Sequence, residues 1–107
     1  MQTGDVIDPA FYSAGGGITT SAQGANFTAV AANRYIITAS SLTATLPAAP
    51  AQGDTVYFVA ATSSITGTII ARNALNIMSL AQDMTVDIAP FFFALTYYDA
   101  TQGWRIT

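Results

Sequence analysis

The feature that most constrains the fold is a series of short segments rich in Thr, Ile, Val and aromatic residues, separated by residues that form turns. β-branched and aromatic residues favour strands, and none of these segments has the length or period of a helix. The pattern predicts strands at 34–38, 42–46, 55–60, 65–71, 77–80, 84–88, 91–98 and 104–106. We therefore expect an all-β fold: a single small antiparallel sandwich, jelly-roll-like domain or barrel of about eight strands.

Composition separates this chain from an ordinary soluble domain. Its 107 residues fit one domain, but only 8% are charged while 51% are hydrophobic, and the mean hydropathy is +0.41. About a quarter of the residues in a typical domain are charged. The apolar excess is interleaved with Thr and Ser, so no stretch reaches the roughly 18 apolar residues of a membrane helix. We interpret the excess as an interface between subunits and expect no membrane partner.

The chain contains no His, Cys, Lys or Glu, which are the usual suppliers of catalytic and metal-binding groups. We therefore expect a structural protein that is not an enzyme and has no cofactor or metal site. A glycan hydrolase with two aspartates is the catalytic alternative, and Asp83 with Asp87 or Asp5 with Asp8 are the pairs close in sequence. Asp between strands more often serves a turn.

The net charge of −3 comes from six Asp and three Arg. Phosphate binding depends on clustered Lys and Arg, whereas Arg34, Arg72 and Arg105 are scattered, so we expect no nucleic-acid partner. The first residues lack the basic and apolar regions of a secretory signal, which favours synthesis in a cytoplasm.

Residues 1–26 differ from the β domain that we assign to residues 27–107. Gly15, Gly16 and Gly17 break regular structure, and large apolar residues are sparse before Phe27. We interpret residues 1–26 as an N-terminal arm or irregular lead-in. Its apolar pairs are candidates to anchor it to another protein: Val6, Ile7, Phe11 and Tyr12. A loosely packed first strand followed by a loop is the alternative.

The segment 91–98 is apolar on both of its predicted faces. Side chains alternate across a strand, so one face carries Phe91, Phe93, Leu95 and Tyr97, and the other carries Phe92, Ala94, Thr96 and Tyr98. Since a small sandwich normally buries one face, we expect a neighbouring subunit to cover the second, with a loop of the same chain as the alternative. The candidate subunit interface comprises Phe91, Phe92, Phe93, Tyr97, Tyr98 and Trp104.

Three polar or aromatic positions have structural interpretations. Gly53-Asp54 predicts a tight turn in which the Asp54 carboxylate accepts backbone N–H groups. Arg72 is expected to pair with Asp83 or Asp87. Trp104 is expected to fill the core or a subunit seam, with its indole N–H bonded to the backbone.

Residues 45–107 contain three motifs in order: an LPxxPxxGDxVxF opening, an RNxxxI centre and a GWRI ending. The motif residues are Leu46, Pro47, Pro50, Gly53, Asp54, Val56, Phe58, Arg72, Asn73, Ile77, Gly103, Trp104, Arg105 and Ile106. In the order and spacing of these motifs, the segment resembles a module of tailed-phage virion proteins. The sequence departs at Ala74, where members often carry Gly.

The resemblance implies a small, often trimeric, phage head or tail surface protein. We expect a homotrimeric capsid decoration (cement) protein on the virion surface, made in the host cytoplasm, whose partners are its own copies and the major capsid protein. The short chain, starting at its own Met1, favours this over a tail fibre. The alternative is a head- or tail-fibre tip that binds a host glycan or receptor through exposed Tyr, Trp and Asp side chains.

Overall fold

The computed structural model describes residues 17–107, and within this range the chain is all-β. We number the strands β1 to β9 in chain order: Thr19–Gln23, Phe27–Thr28, Asn33–Ile37, Thr43–Thr45, Thr55–Ala60, Thr68–Ala71, Met84–Val86, Phe92–Tyr97 and Trp104–Ile106. This part of the chain has no helix that could cross a membrane. The predicted all-β class is therefore confirmed.

The nine strands form two mixed sheets. Sheet A has the order β1-β3-β5-β8-β9, and sheet B has the order β2-β4-β6-β7. The first six strands alternate between the two sheets. Among these six, strands two places apart along the chain pair in parallel, as β1 does with β3 and β2 with β4. After β6 the chain reverses, so that β7 pairs antiparallel with β6, β8 with β5, and β9 with β8.

The expectation of antiparallel pairing is wrong for the four pairs formed by these first six strands. Parallel strands usually require a long crossover, because the chain must return to its starting end. Here the return path is itself a strand of the other sheet. The sequence pattern could not reveal this, because side chains alternate with the same period in parallel and antiparallel strands.

Backbone with positive φ marks the corners where the chain passes between the sheets. One such residue lies in each of the four connections from β2 to β6: Ala32, Ser41, Gly53 and Gly67. At the third corner the Asp54 carboxylate accepts the backbone N–H of Ala51 at 2.9 Å, and Gly53 has φ of 93°. The predicted Gly53-Asp54 turn is therefore confirmed.

The core lies between the two sheets. Sheet A contributes Tyr35, Ile37, Val56, Phe58, Leu95 and Trp104, and sheet B contributes Ala44 and Ile70. The rings of Phe27 in β2 and Tyr35 in β3 are 4.6 Å apart, a direct contact across the layers. Trp104 is fully buried, but its indole nitrogen has no hydrogen-bond partner among residues 17–107, so the expected bond to the backbone is not found in this range.

Two further local expectations are corrected. Residues 77–80 form a tight turn and not a strand: Ile77 and Leu80 exchange backbone hydrogen bonds, and Met78 and Ser79 have positive φ. Arg72 meets Asp83 only through its backbone, since its N–H donates to the carboxylate at 2.9 Å. Its guanidinium donates to the carbonyl oxygens of two residues in its own loop, Ala74 and Leu75.

The two edge strands of sheet A, β9 and β1, differ in what lies along their outer edges. The free edge of β9 is covered by residues 76–79, since the Trp104 N–H donates to Asn76 and the Met78 N–H donates to Trp104. Gly103 permits this approach, because a Cβ there would collide with the Asn76 carbonyl group. At the other end, β1 lies within the predicted arm 1–26, and no described strand pairs with its outer edge.

Candidate interaction surface

The outward side of sheet A is an apolar surface. The inward residues of its strands are buried in the core, so their neighbours along each strand point outward. We call this surface the outer face of sheet A, and its members are Thr20, Ala22, Arg34, Ile36, Thr55, Tyr57, Val59, Phe92, Ala94, Thr96 and Arg105. Its charged residues are Arg34 and Arg105.

Phe92 is the most exposed large apolar residue of the described chain, at 86%. Its neighbour Phe93 points the other way and packs against Phe58, with the ring centroids 5.4 Å apart. The two adjacent phenylalanines thus have opposite surroundings. A phenylalanine that leaves water gains about 1.5–3 kcal/mol, so Phe92 is a strong candidate for contact with another molecule.

Two shallow grooves adjoin at Phe92. The first has a volume of about 370 Å³ and lies beside Met84, Val86, Asp87, Ile88 and Pro90. The second, of about 580 Å³, lies over Arg34, Tyr57, Val59 and Ala94. Phe92, Phe93 and Ile106 border both grooves. Small-ligand pockets enclose most of the surface of their ligand, whereas these grooves are open and shallow, which suits contact with another protein better.

Each groove carries one charge at its rim, and the charges have opposite signs. The Arg34 guanidinium lies 5.9 Å from the centroid of the Tyr57 ring and donates a long hydrogen bond of 3.4 Å to Thr20. Asp87 is exposed, and no described residue donates a hydrogen bond to it. In contrast, each of the other described carboxylates accepts a backbone N–H: Asp54, Asp83 and Asp99.

The predicted interface residues separate into two groups. Phe91, Phe93, Tyr97 and Trp104 lie on the core side of sheet A, and Trp104 has no surface left for a partner. Phe92 and Tyr98 are exposed. The candidate capsid-contacting residues lie outside the described residues: Val6, Ile7, Phe11 and Tyr12.

Sequence reasoning did not identify Ile36, Tyr57 and Val59 of the outer face of sheet A, or Ile88 of the first groove. The segment 55–60 is almost continuously apolar, which indicated a strand buried on both faces. In the structure Val56 and Phe58 are buried, whereas Tyr57 and Val59 face outward. The signal that could have found them is the alternation within this strand, the same argument that separated the two faces of the segment 91–98.

Of the aspartates considered for catalysis, the two described ones have different surroundings. The Asp83 carboxylate is engaged by the backbone of Arg72, and Asp87 borders the first groove. Asp5 and Asp8 lie outside the described residues. Residues 17–107 contain no group of three or more metal-ligating side chains.

A search of protein-family models and of curated proteins finds no match to this chain.

Proposed function

We propose that this chain is a structural protein of a phage virion, a homotrimeric capsid decoration (cement) protein that binds the outside of the head. The observation that carries the proposal is the outer face of sheet A with the exposed Phe92 at its border. Soluble monomers rarely expose a large continuous apolar patch, and such patches usually mark contacts with other proteins. We assign this face to contact between copies of the chain.

Three charged side chains of the described chain support a structural role. Asp54 and Asp99 cap turns, and the Arg72 guanidinium holds its own loop. These side chains are engaged in maintaining backbone turns, so they are not free to act on a substrate. In this proposal the protein acts through binding energy alone.

The proposed mechanism is stabilisation of the shell by multivalent binding. A trimer that contacts several major capsid proteins at once adds binding energy across their borders, and a ligand that binds only the intact shell stabilises it. We assign the capsid contact to the N-terminal arm, with Val6, Ile7, Phe11 and Tyr12 as its anchors. The virion surface is then the site of action.

The test combines the mass of the purified protein, measured by light scattering, with co-sedimentation against expanded capsids that lack it. We expect a trimer that pellets with the capsids, and a variant lacking residues 2–14 that remains trimeric but stays in the supernatant. A trimer that binds host cells and ignores capsids would transfer the proposal to the fibre-tip alternative. A monomer at all concentrations would overturn both.

A further inference from the structure

The arrangement of charge around Phe92 carries information beyond the presence of an apolar face. The first groove has Asp87 at its rim, the second has Arg34, and the two grooves meet at Phe92. Neither charge has an ionic partner among residues 17–107. The first groove of one copy can therefore bind the second groove of another copy, which is a head-to-tail contact between identical chains.

We propose that the first groove of one copy packs against the second groove of the next copy, with Asp87 facing the neighbour's Arg34. This proposal rests on the self-association assigned above and specifies its geometry. Since both halves meet at Phe92, copies related by rotation would bring their Phe92 side chains together near the symmetry axis. The same contact would then recur at every junction of a closed ring.

The apolar residues and the charges have different roles in this contact. Ile88 is 72% exposed and Phe92 is 86% exposed, and together they offer apolar area to the Tyr57 and Val59 side chains of the neighbour. Burial of this area supplies the affinity. The Asp87–Arg34 pair sets the register, because complementary charges mainly determine which surfaces meet, and two like charges at the junction would oppose it.

Pairing of like halves is the competing arrangement. It would place Arg34 against Arg34 or Asp87 against Asp87 in a region where water is excluded. Like charges brought together at an interface cost several kcal/mol, so this arrangement is disfavoured. When the first groove of one copy meets the second groove of the next, Asp87 faces Arg34 and this repulsion is absent.

The test is a charge-reversal cycle, with Asp87→Arg, Arg34→Asp and the double variant. Dissociation constants are measured by sedimentation equilibrium over a concentration series. We expect each single reversal to weaken assembly at least about tenfold, and the double reversal to restore it to within about threefold of the original. Gln52→Arg, in an exposed turn that borders neither groove, adds a positive charge away from the proposed contact and should have no effect.

The outcomes separate this inference from the proposed function. A double variant as weak as the weaker single variant, or single variants that assemble normally, would overturn the Asp87–Arg34 contact while leaving the trimer in place. Restored assembly with the mass of a dimer would support the contact and overturn the trimer. Restored trimers that fail to pellet with capsids would support the contact and count against the decoration role. Circular dichroism of each variant identifies any that has unfolded.

Discussion

The outer faces of the two sheets cover the same core but have opposite characters. The outer face of sheet B carries mostly threonine, with Thr28, Thr43, Thr45, Ile69, Ala71 and Thr85. The outer face of sheet A also carries three threonines, but it adds four large apolar or aromatic side chains, Ile36, Tyr57, Val59 and Phe92. Threonine serves a strand well because it combines a β-branched shape with a hydroxyl that water can solvate. The comparison shows that this fold does not require an apolar outer face, so the one on sheet A points to a second molecule.

The largest expected effect comes from the inner side of sheet A. Leu95 is fully buried between the sheets, and Leu95→Ala should lower the free energy of unfolding by about 3 kcal/mol because it leaves a cavity. The matched change Phe92→Ala removes a larger side chain from the same strand, yet should cost less than about 1 kcal/mol in the monomer. Urea denaturation at a concentration where the protein is monomeric measures both. A large loss for Phe92→Ala would mean that its side chain is covered within the chain.

The next effect concerns assembly. Phe92→Asp should raise the dissociation constant of the oligomer at least about thirtyfold, which corresponds to about 2 kcal/mol, because a charge would be buried in the interface. Ile69→Asp makes the same type of change on the outer face of sheet B and should leave the mass unchanged. Light scattering compares the two. Equal effects would show that the difference between the outer faces has no role in assembly.

Tyr98→Asp examines how far the interface extends. Tyr98 is 51% exposed and follows β8 directly. We expect Tyr98→Asp to weaken the oligomer about tenfold, less than Phe92→Asp, because Tyr98 borders neither groove. Sedimentation equilibrium gives the dissociation constant. A variant with unchanged affinity would limit the interface to the surroundings of Phe92.

A smaller effect is expected from the one threonine that faces inward on sheet B. Thr68 is fully buried, and its hydroxyl has no hydrogen-bond partner in the part of the chain that the structure describes. Thr68→Val keeps the shape and removes the unsatisfied group, so it should stabilise the monomer by about 1 kcal/mol. Thr43→Val on the outer face should change stability by less than about 0.5 kcal/mol. Thermal unfolding of both variants tests this, and destabilisation by Thr68→Val would show that its hydroxyl is satisfied in solution.

The smallest effect concerns the loop between β6 and β7 of sheet B. Ala74 has φ of 70°, a conformation that costs an L-residue about 1 kcal/mol or more and costs glycine little. Ala74→Gly should therefore raise the free energy of unfolding by about 0.5 kcal/mol, after the greater freedom of glycine in the unfolded chain is counted. Chemical denaturation shows whether the free energy of unfolding rises, as expected, or falls, which would contradict the prediction.

Strand positions were largely predictable, because alternation of side chains is a local property. The predicted limits 55–60 and 104–106 are those observed, and 34–38 and 84–88 differ by few residues. A strand within residues 1–26 was only our alternative prediction, since Thr19–Gln23 contains no large apolar residue, and the short strand β2 was not predicted. Strand direction was not predictable either, because it depends on which distant strands meet. The placement of the opposite charges Asp87 and Arg34 on either side of Phe92 was not predictable for the same reason, because it depends on contacts between segments far apart in sequence.

No strand of residues 17–107 pairs with the outer edge of β1, so a further strand could be added there. The pairs of consecutive strands β1–β2, β3–β4 and β5–β6 each add one strand to sheet A and one to sheet B. At the other side of the two sheets lie the antiparallel strands β7, β8 and β9. A duplication that inserted another pair of strands before β1 would lengthen both sheets without disturbing the core or the surface around Phe92. Proteins of different lengths could therefore share this architecture by varying at the amino-terminal side alone, with assembly and elongation evolving independently.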